Sequence, residues 1–262
     1  MRRIVLVLTA AALLLTGCAT TASAPAGRAG AAGSGGSSDR TLTVFAAASL
    51  KQTFATLGRT FESQHPGTTV AFSFAGSADL VTQLQEGAPA DVFASADTTT
   101  MARAAGDHLV AGTPVTFATN TLQIAVPPSN PARVSSYADL TRPGVKVVVC
   151  AVQVPCGAAA RRIETATSTT IRPVSEENAV TDVLGKVESG EADAGLVYVT
   201  DVKSAGDRVR GIAFEESRKA VNTYPVAALA GSRNLDLAGQ FVELVTGSEG
   251  RQVLAAAGFG TP

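Results

Sequence analysis

The chain has 262 residues, enough for one large or two ordinary domains around a sizeable core. Its 21 Lys and Arg against 22 Asp and Glu give a formal charge of −1, or −3 once Arg2 and Arg3 are removed. That balance, with no basic run carrying interleaved aromatics, excludes nucleic acid as a partner.

The first eighteen residues, MRRIVLVLTAAALLLTGC, read as a signal peptide: a basic start, an apolar run from Ile4 to Leu15 too short for a comfortable membrane span, and then Leu15-Thr16-Gly17-Cys18. The last four residues resemble the bacterial lipoprotein box, in which the cysteine is lipidated and becomes the new N-terminus. Cys18 is therefore expected to anchor an exported protein to the cell membrane. Residues 19–40 are rich in Gly, Ala and Ser and read as a flexible linker that cannot bury enough apolar surface to fold. A globular body starts near Thr41, in a compartment that permits disulfides.

Within the body, apolar runs alternate with helical patterns, the signature of an α/β fold with mostly parallel strands. Strand 41–48 leads into helix 49–64, where Leu50, Phe54, Leu57 and Phe61 share one face, and Pro66-Gly67 stops it. Strand 68–76 and a helix with Leu80, Val81 and Leu84 inward repeat the scheme, followed by strand 90–97. The stretch 115–127 is apolar with polar Thr119-Asn120-Thr121 at its middle, as expected of a segment crossing between two lobes. A second series follows: strand 145–150, helix 156–168, helix 178–190 and strand 193–201. Segment 222–231 reads as the return crossing, and helices 235–246 and 248–257 close the chain. Two lobes joined by two crossings suggest a hinged clamshell, with a single α/β domain carrying insertions as the alternative.

Five positions stand where a strand ends or a helix begins, the places where unpaired N–H groups and a partial positive charge attract anions. Ser49 follows VFAAA and Ser77 follows FAG; each reads as a helix cap when taken alone, but together they form matched donors on adjacent βα turns. Cys156 opens a helix and would offer its N–H, with Gly157 clearing the approach. Val180 sits in a helix's first turn, where its N–H is the useful group and its side chain reads as core. Tyr198 ends a strand and could donate its phenol inward or satisfy a structural partner.

The segments TVFAAASL, SFAGSADLVTQLQEGAPADVFASAD, EADAGLVYVTDV and YPVA, in that order, resemble the molybdate-binding proteins of molybdate ABC transporters, over essentially all of residues 41–262. The resemblance implies a two-lobed periplasmic-binding-protein clamshell of type II, each lobe a mostly parallel sheet flanked by helices. Residues 41–118 and 225–262 would form lobe 1, and residues 119–224 lobe 2. It implies a monomer that binds molybdate, and tungstate as well, and delivers it to an ABC permease, with no cofactor, no directly ligated metal and no catalysis. Carried over position by position, the oxyanion donors fall on Ser49, Ser77, Cys156, Val180 and Tyr198. Family members commonly have a small residue such as alanine at the third position, a change that a backbone donor tolerates.

Sulfate or thiosulfate binding is the nearest alternative. A serine hydrolase would need His65 or His108 as base, and neither Ser49 nor Ser77 lies in a G-x-S-x-G elbow. A ferric site would favour paired tyrosines, whereas Tyr137, Tyr198 and Tyr224 are dispersed. Cys150 and Cys156 are too few for a metal site and lack C-x-x-C spacing. In an oxidising compartment they are expected to form a disulfide closing a seven-residue loop.

Overall fold

The computed structural model of the protein describes residues 40–262. The signal segment, Cys18 and residues 19–39 of the expected linker lie outside the described residues. From the N-terminal side the elements are β1 (Arg40–Ala47), α1 (Lys51–Gln64), β2 (Thr68–Ala75), α2 (Ser77–Gln85), β3 (Val92–Ala94), α3 (Thr98–Gly106), β4 (Val110–Asn120) and β5 (Leu122–Val126). They continue with β6 (Val147–Cys150), α4 (Pro155–Thr167), β7 (Ser175–Glu177), α5 (Val180–Glu188), β8 (Ala194–Tyr198), α6 (Val199–Ala205) and β9 (Arg210–Ile212). The chain closes with β10 (Asn222–Leu229), α7 (Leu235–Thr246) and α8 (Ser248–Ala257).

The strands form two five-stranded sheets, ordered β2-β1-β3-β10-β4 and β7-β6-β8-β5-β9. In the first, β2, β1 and β3 are parallel and β10 runs against β3 and β4. In the second, β7, β6 and β8 are parallel and β5 runs against β8 and β9. The reversed strand in each sheet is the one the chain enters on crossing from the other. Asn120 pairs with Asn222 in the first sheet, so that sheet extends beyond the expected limits at 118/119 and 224/225.

Period-two alternation on β1 divides the first lobe's core. Leu42, Val44 and Ala46 face α1 and α7, where Phe54, Leu57, Phe61 and Phe241 are buried. Phe45 faces the opposite layer, with Leu80, Val81 and Met101 of α2 and α3. The second lobe has its own core, including Ile124, Val148, Ile163, Val183 and Leu196.

Three local features depart from expectation. Strand 90–97 shortens to β3 because side chains claim its ends: Asp91 accepts from the Thr43 N–H at 2.7 Å and the Ser232 hydroxyl at 2.5 Å. Asp97 caps α3 by accepting from the Thr100 N–H at 2.8 Å. Strand 193–201 ends at Tyr198, since Asp201 accepts the Tyr198 N–H at 2.8 Å and turns the chain into α6. Gly157 does not clear space for a ligand: a Cβ there would lie 2.0 Å from the Ala151 carbonyl oxygen, so glycine is required by the loop packed beside it.

A disulfide ties Cys150, at the end of β6, to Cys156 in the first turn of α4, with their Cα atoms 5.7 Å apart. A loop this short restricts the unfolded chain modestly. Replacing both cysteines with serine should lower unfolding free energy by about 2–3 kcal/mol, read as a lower urea midpoint.

Candidate functional site

The parallel strands deliver their following helices at their carboxyl ends, and those ends of the two sheets face each other. A narrow cavity lies at the junction, and Ser49, Ser77, Cys156, Val180 and Tyr198 all line it. Larger cavities lie elsewhere, one of ≈ 590 Å³ around Asp91 at the far end of the first sheet. Another, of ≈ 630 Å³, is an open groove between the lobes beside Ser49 and Asp201. Neither gathers these five positions.

Each position has a distinct local cause. Ser49 lies in a 3₁₀ turn, Ala48–Leu50, ahead of α1, and its Oγ is 3.1 Å from the Tyr224 hydroxyl. Ser77 is the first residue of α2, and its Oγ accepts the Ala96 N–H at 3.0 Å, which leaves its own hydrogen for another acceptor. Neither serine caps its helix: α1 and α2 start from Leu50 and Gly76 without a side-chain cap bond. In α4 the first residue is Pro155, which has no N–H, so Cys156 carries the first donor of that helix. Val180 opens α5; its side chain belongs to the second lobe's core, while its N–H has no partner within the helix. Tyr198 is 1% exposed, and its Oη accepts from Asn222 Nδ2 at 3.0 Å.

The cavity is mostly apolar, with the hydroxyls of Ser49, Ser77 and Tyr198 set among small and aliphatic residues. Among the described residues no Lys, Arg, Asp or Glu lines it, and positive potential there comes from the helix starts. Burial pushes the Tyr198 phenol well above its usual range, reinforced by Tyr224, Asp201 and Asp97. Burial likewise raises the phenol of Tyr224. Both therefore stay protonated as hydrogen-bond donors at physiological pH. Asp201, behind Tyr198, is pushed up to about 7 by burial, partly offset by the Tyr198 N–H it accepts.

The lobes touch closely around this point. A Cβ on Gly76 would lie 2.0 Å from the Asn178 carbonyl oxygen, so only glycine permits that approach. Lys203 of α6 donates to the Ala256 carbonyl at 2.7 Å, joining the second lobe to the last turn of α8 in the first. Three residues here escaped the sequence reading as site components: Asn222, Tyr224 and Asp201. A polar side chain at the start of an apolar strand, as Asn222 is, was the available signal. The histidines lie away from the cavity: His65 is half-buried and stacks on Phe61 with ring centroids 3.9 Å apart, and His108 is exposed. Neither serine thus has a histidine base beside it.

Comparison with known proteins places this geometry in context. A family model described as bacterial extracellular solute-binding protein matches residues 42–260. The molybdate-binding protein ModA of Mycobacterium tuberculosis is 49% identical over 252 residues, covering 96% of this chain and 94% of that protein. The molybdate-binding protein ModA of Escherichia coli is 31% identical over 229 residues, covering 83% of this chain and 88% of that protein. Among solved structures, the periplasmic molybdate-binding protein of Azotobacter vinelandii aligns with a TM-score of 0.72 at 22% identity, covering 84% of this chain and 99% of the other. At that identity the likeness speaks for the fold.

The buried carboxyl of Asp201 has a consequence for stability. Its pKa is raised in the folded state, so the folded protein binds the proton more tightly than the unfolded chain does. The resulting stabilisation is present near pH 4 and is lost as pH rises through about 7. Asp201→Asn keeps an acceptor for the Tyr198 N–H but cannot ionise. Urea unfolding at pH 5 and pH 8 should show a smaller loss of stability at pH 8 in this variant than in the unaltered protein.

Proposed function

The chain belongs to the family of bacterial extracellular solute-binding proteins and is a binding protein rather than an enzyme; we propose that it captures molybdate, and tungstate with it, between its lobes and delivers the oxyanion to an ABC permease. The observation that carries this reading is a cavity lined by hydroxyl and N–H donors with no charged side chain. Molybdate is a fully deprotonated dianion at neutral pH, so its oxygens only accept. Phosphate keeps a proton and would call for an acceptor, a carboxylate for instance. Bonds to a charged acceptor are about twice as strong as neutral ones, and excluding water as the lobes close strengthens each. A cleft that closes to fit the larger molybdate would hold the smaller sulfate less well.

In this reading Ser49, Ser77 and Tyr198 donate through hydroxyls, and Cys156 and Val180 through backbone N–H groups. The disulfide holds Cys156 so that its nitrogen, not its sulfur, meets the ligand. Lipid on Cys18 would keep the monomer at the membrane, with residues 19–40 as the tether. Productive docking on the permease would select the closed, loaded form.

Calorimetry of the body with molybdate, tungstate and sulfate tests the proposal. Molybdate and tungstate should bind tightly and sulfate weakly; sulfate binding as tight as molybdate would overturn it. Ser49→Ala and Ser77→Ala should each weaken molybdate binding by about 1.5–3 kcal/mol, the worth of a hydrogen bond to a charged group. Unchanged affinity in both would remove the serines from the site.

A further inference from the structure

Asn222 is 1% exposed and is the first residue of β10, paired with Asn120 where the chain returns to the first sheet. Its side chain meets both lobes. Nδ2 lies 2.8 Å from the Ala96 carbonyl oxygen in the first lobe, and 3.0 Å from Tyr198 Oη and 3.3 Å from the Pro155 carbonyl oxygen in the second. Oδ1 accepts from Arg162 Nη2 of α4 at 3.2 Å. Ala96, Pro155 and Tyr198 all line the cavity.

These neighbours leave the amide a single orientation. Flipped, its oxygen would face two carbonyl oxygens, and its NH₂ would face a guanidinium that can only donate. With the nitrogen turned to Tyr198, the phenol oxygen accepts and cannot donate to Asn222, so its hydrogen goes to the neighbouring Tyr224 hydroxyl or, when a ligand is present, into the cavity. We propose that Asn222 is a positioning residue that forces the Tyr198 oxygen to accept and so directs its hydrogen into the cavity, making Tyr198 a donor to the bound oxyanion. The assignment rests on the reading that a tetrahedral oxyanion occupies this cavity. Without Asn222, two carbonyls lose their donor beside Tyr198, and its hydroxyl rotates to serve one of them instead of the ligand.

A double-mutant cycle separates this role from general support of the fold. Asn222→Leu, similar in volume and without a donor, should weaken molybdate binding about 10- to 100-fold, the worth of one bond to a charged acceptor. In a Tyr198→Phe background the same change should weaken it less than about threefold, because no phenol hydrogen remains to be misdirected. Equal penalties in the two backgrounds, or no penalty in either, would overturn the assignment. Asn222→Ala serves in the same cycle if the leucine variant does not fold. The unaltered protein is first titrated with molybdate, tungstate and sulfate. If it binds sulfate alone, the molybdate reading falls and the cycle, run with sulfate, still judges Asn222; binding of none overturns both.

Discussion

The arrangement depends on backbone N–H groups that a helix cannot satisfy within itself. A parallel sheet brings the starts of its following helices to the carboxyl ends of its strands, and here those ends of the two sheets face one cavity, so α2 arrives from one lobe and α4 and α5 from the other. Donors held in this way need no side chain to order, and their direction is fixed by the fold. Pro155 sharpens the effect at α4, because its missing N–H makes Cys156 the first donor of that helix. A lysine would bring a strongly hydrated charge that is costly to bury. The helix starts supply positive potential with none of that cost.

Sharing a cavity between lobes demands that they come very close, and the contacts show how closeness is achieved. Gly76 lets the backbone of one lobe reach the Asn178 carbonyl of the other. Lys203 reaches the C-terminal turn of α8, where a cation is favoured by the helix dipole. Asn222 ties Ala96 on one side to Tyr198 and Pro155 on the other. The disulfide acts within one lobe, holding the first turn of α4 against the end of β6, and Gly157 allows the loop to lie flat against that helix. Rigidity inside a lobe and close fit between lobes are thus supplied by different residues.

Strand and helix alternation was readable because burial on both faces of a parallel sheet leaves continuous apolar runs, and surface helices carry one apolar stripe. The five cavity positions were readable because each stands where a strand ends or a helix begins, and they became a set through the family resemblance, since Val180 alone reads as core. Short elements were not: β7 and β9 have three residues each, too few for a period to appear. Helix α3 begins with a run of threonines that masks its Asp97 cap, and α6 starts directly after β8 with no intervening turn residue. Asn222 has its role only through Ala96, Pro155, Tyr198 and Arg162, which lie far from it in sequence, so no local pattern could assign it. Gly157 shows the converse case, a glycine whose neighbour in space is the loop just before it in the chain.

The hydroxyls of the cavity share one polarity. Ser77 accepts from Ala96 and Tyr198 accepts from Asn222, so in each the oxygen is engaged by the protein and the hydrogen remains. Ser49 and Tyr224 share a bond in which either can donate; when Tyr224 gives its hydrogen to Ser49, the serine hydrogen is freed in the same sense. Burial keeps both phenols protonated, and the buried carboxyl of Asp201 accepts the Tyr198 N–H. A cavity organised in this way turns donors toward a ligand more readily than acceptors. A ligand that carries a proton on its oxygens would leave that proton unmatched in a buried site, which costs more than a missing contact. In the proposed reading, discrimination against protonated oxyanions would come from the internal bonds that engage the Ser77 and Tyr198 oxygens as well as from the donors themselves.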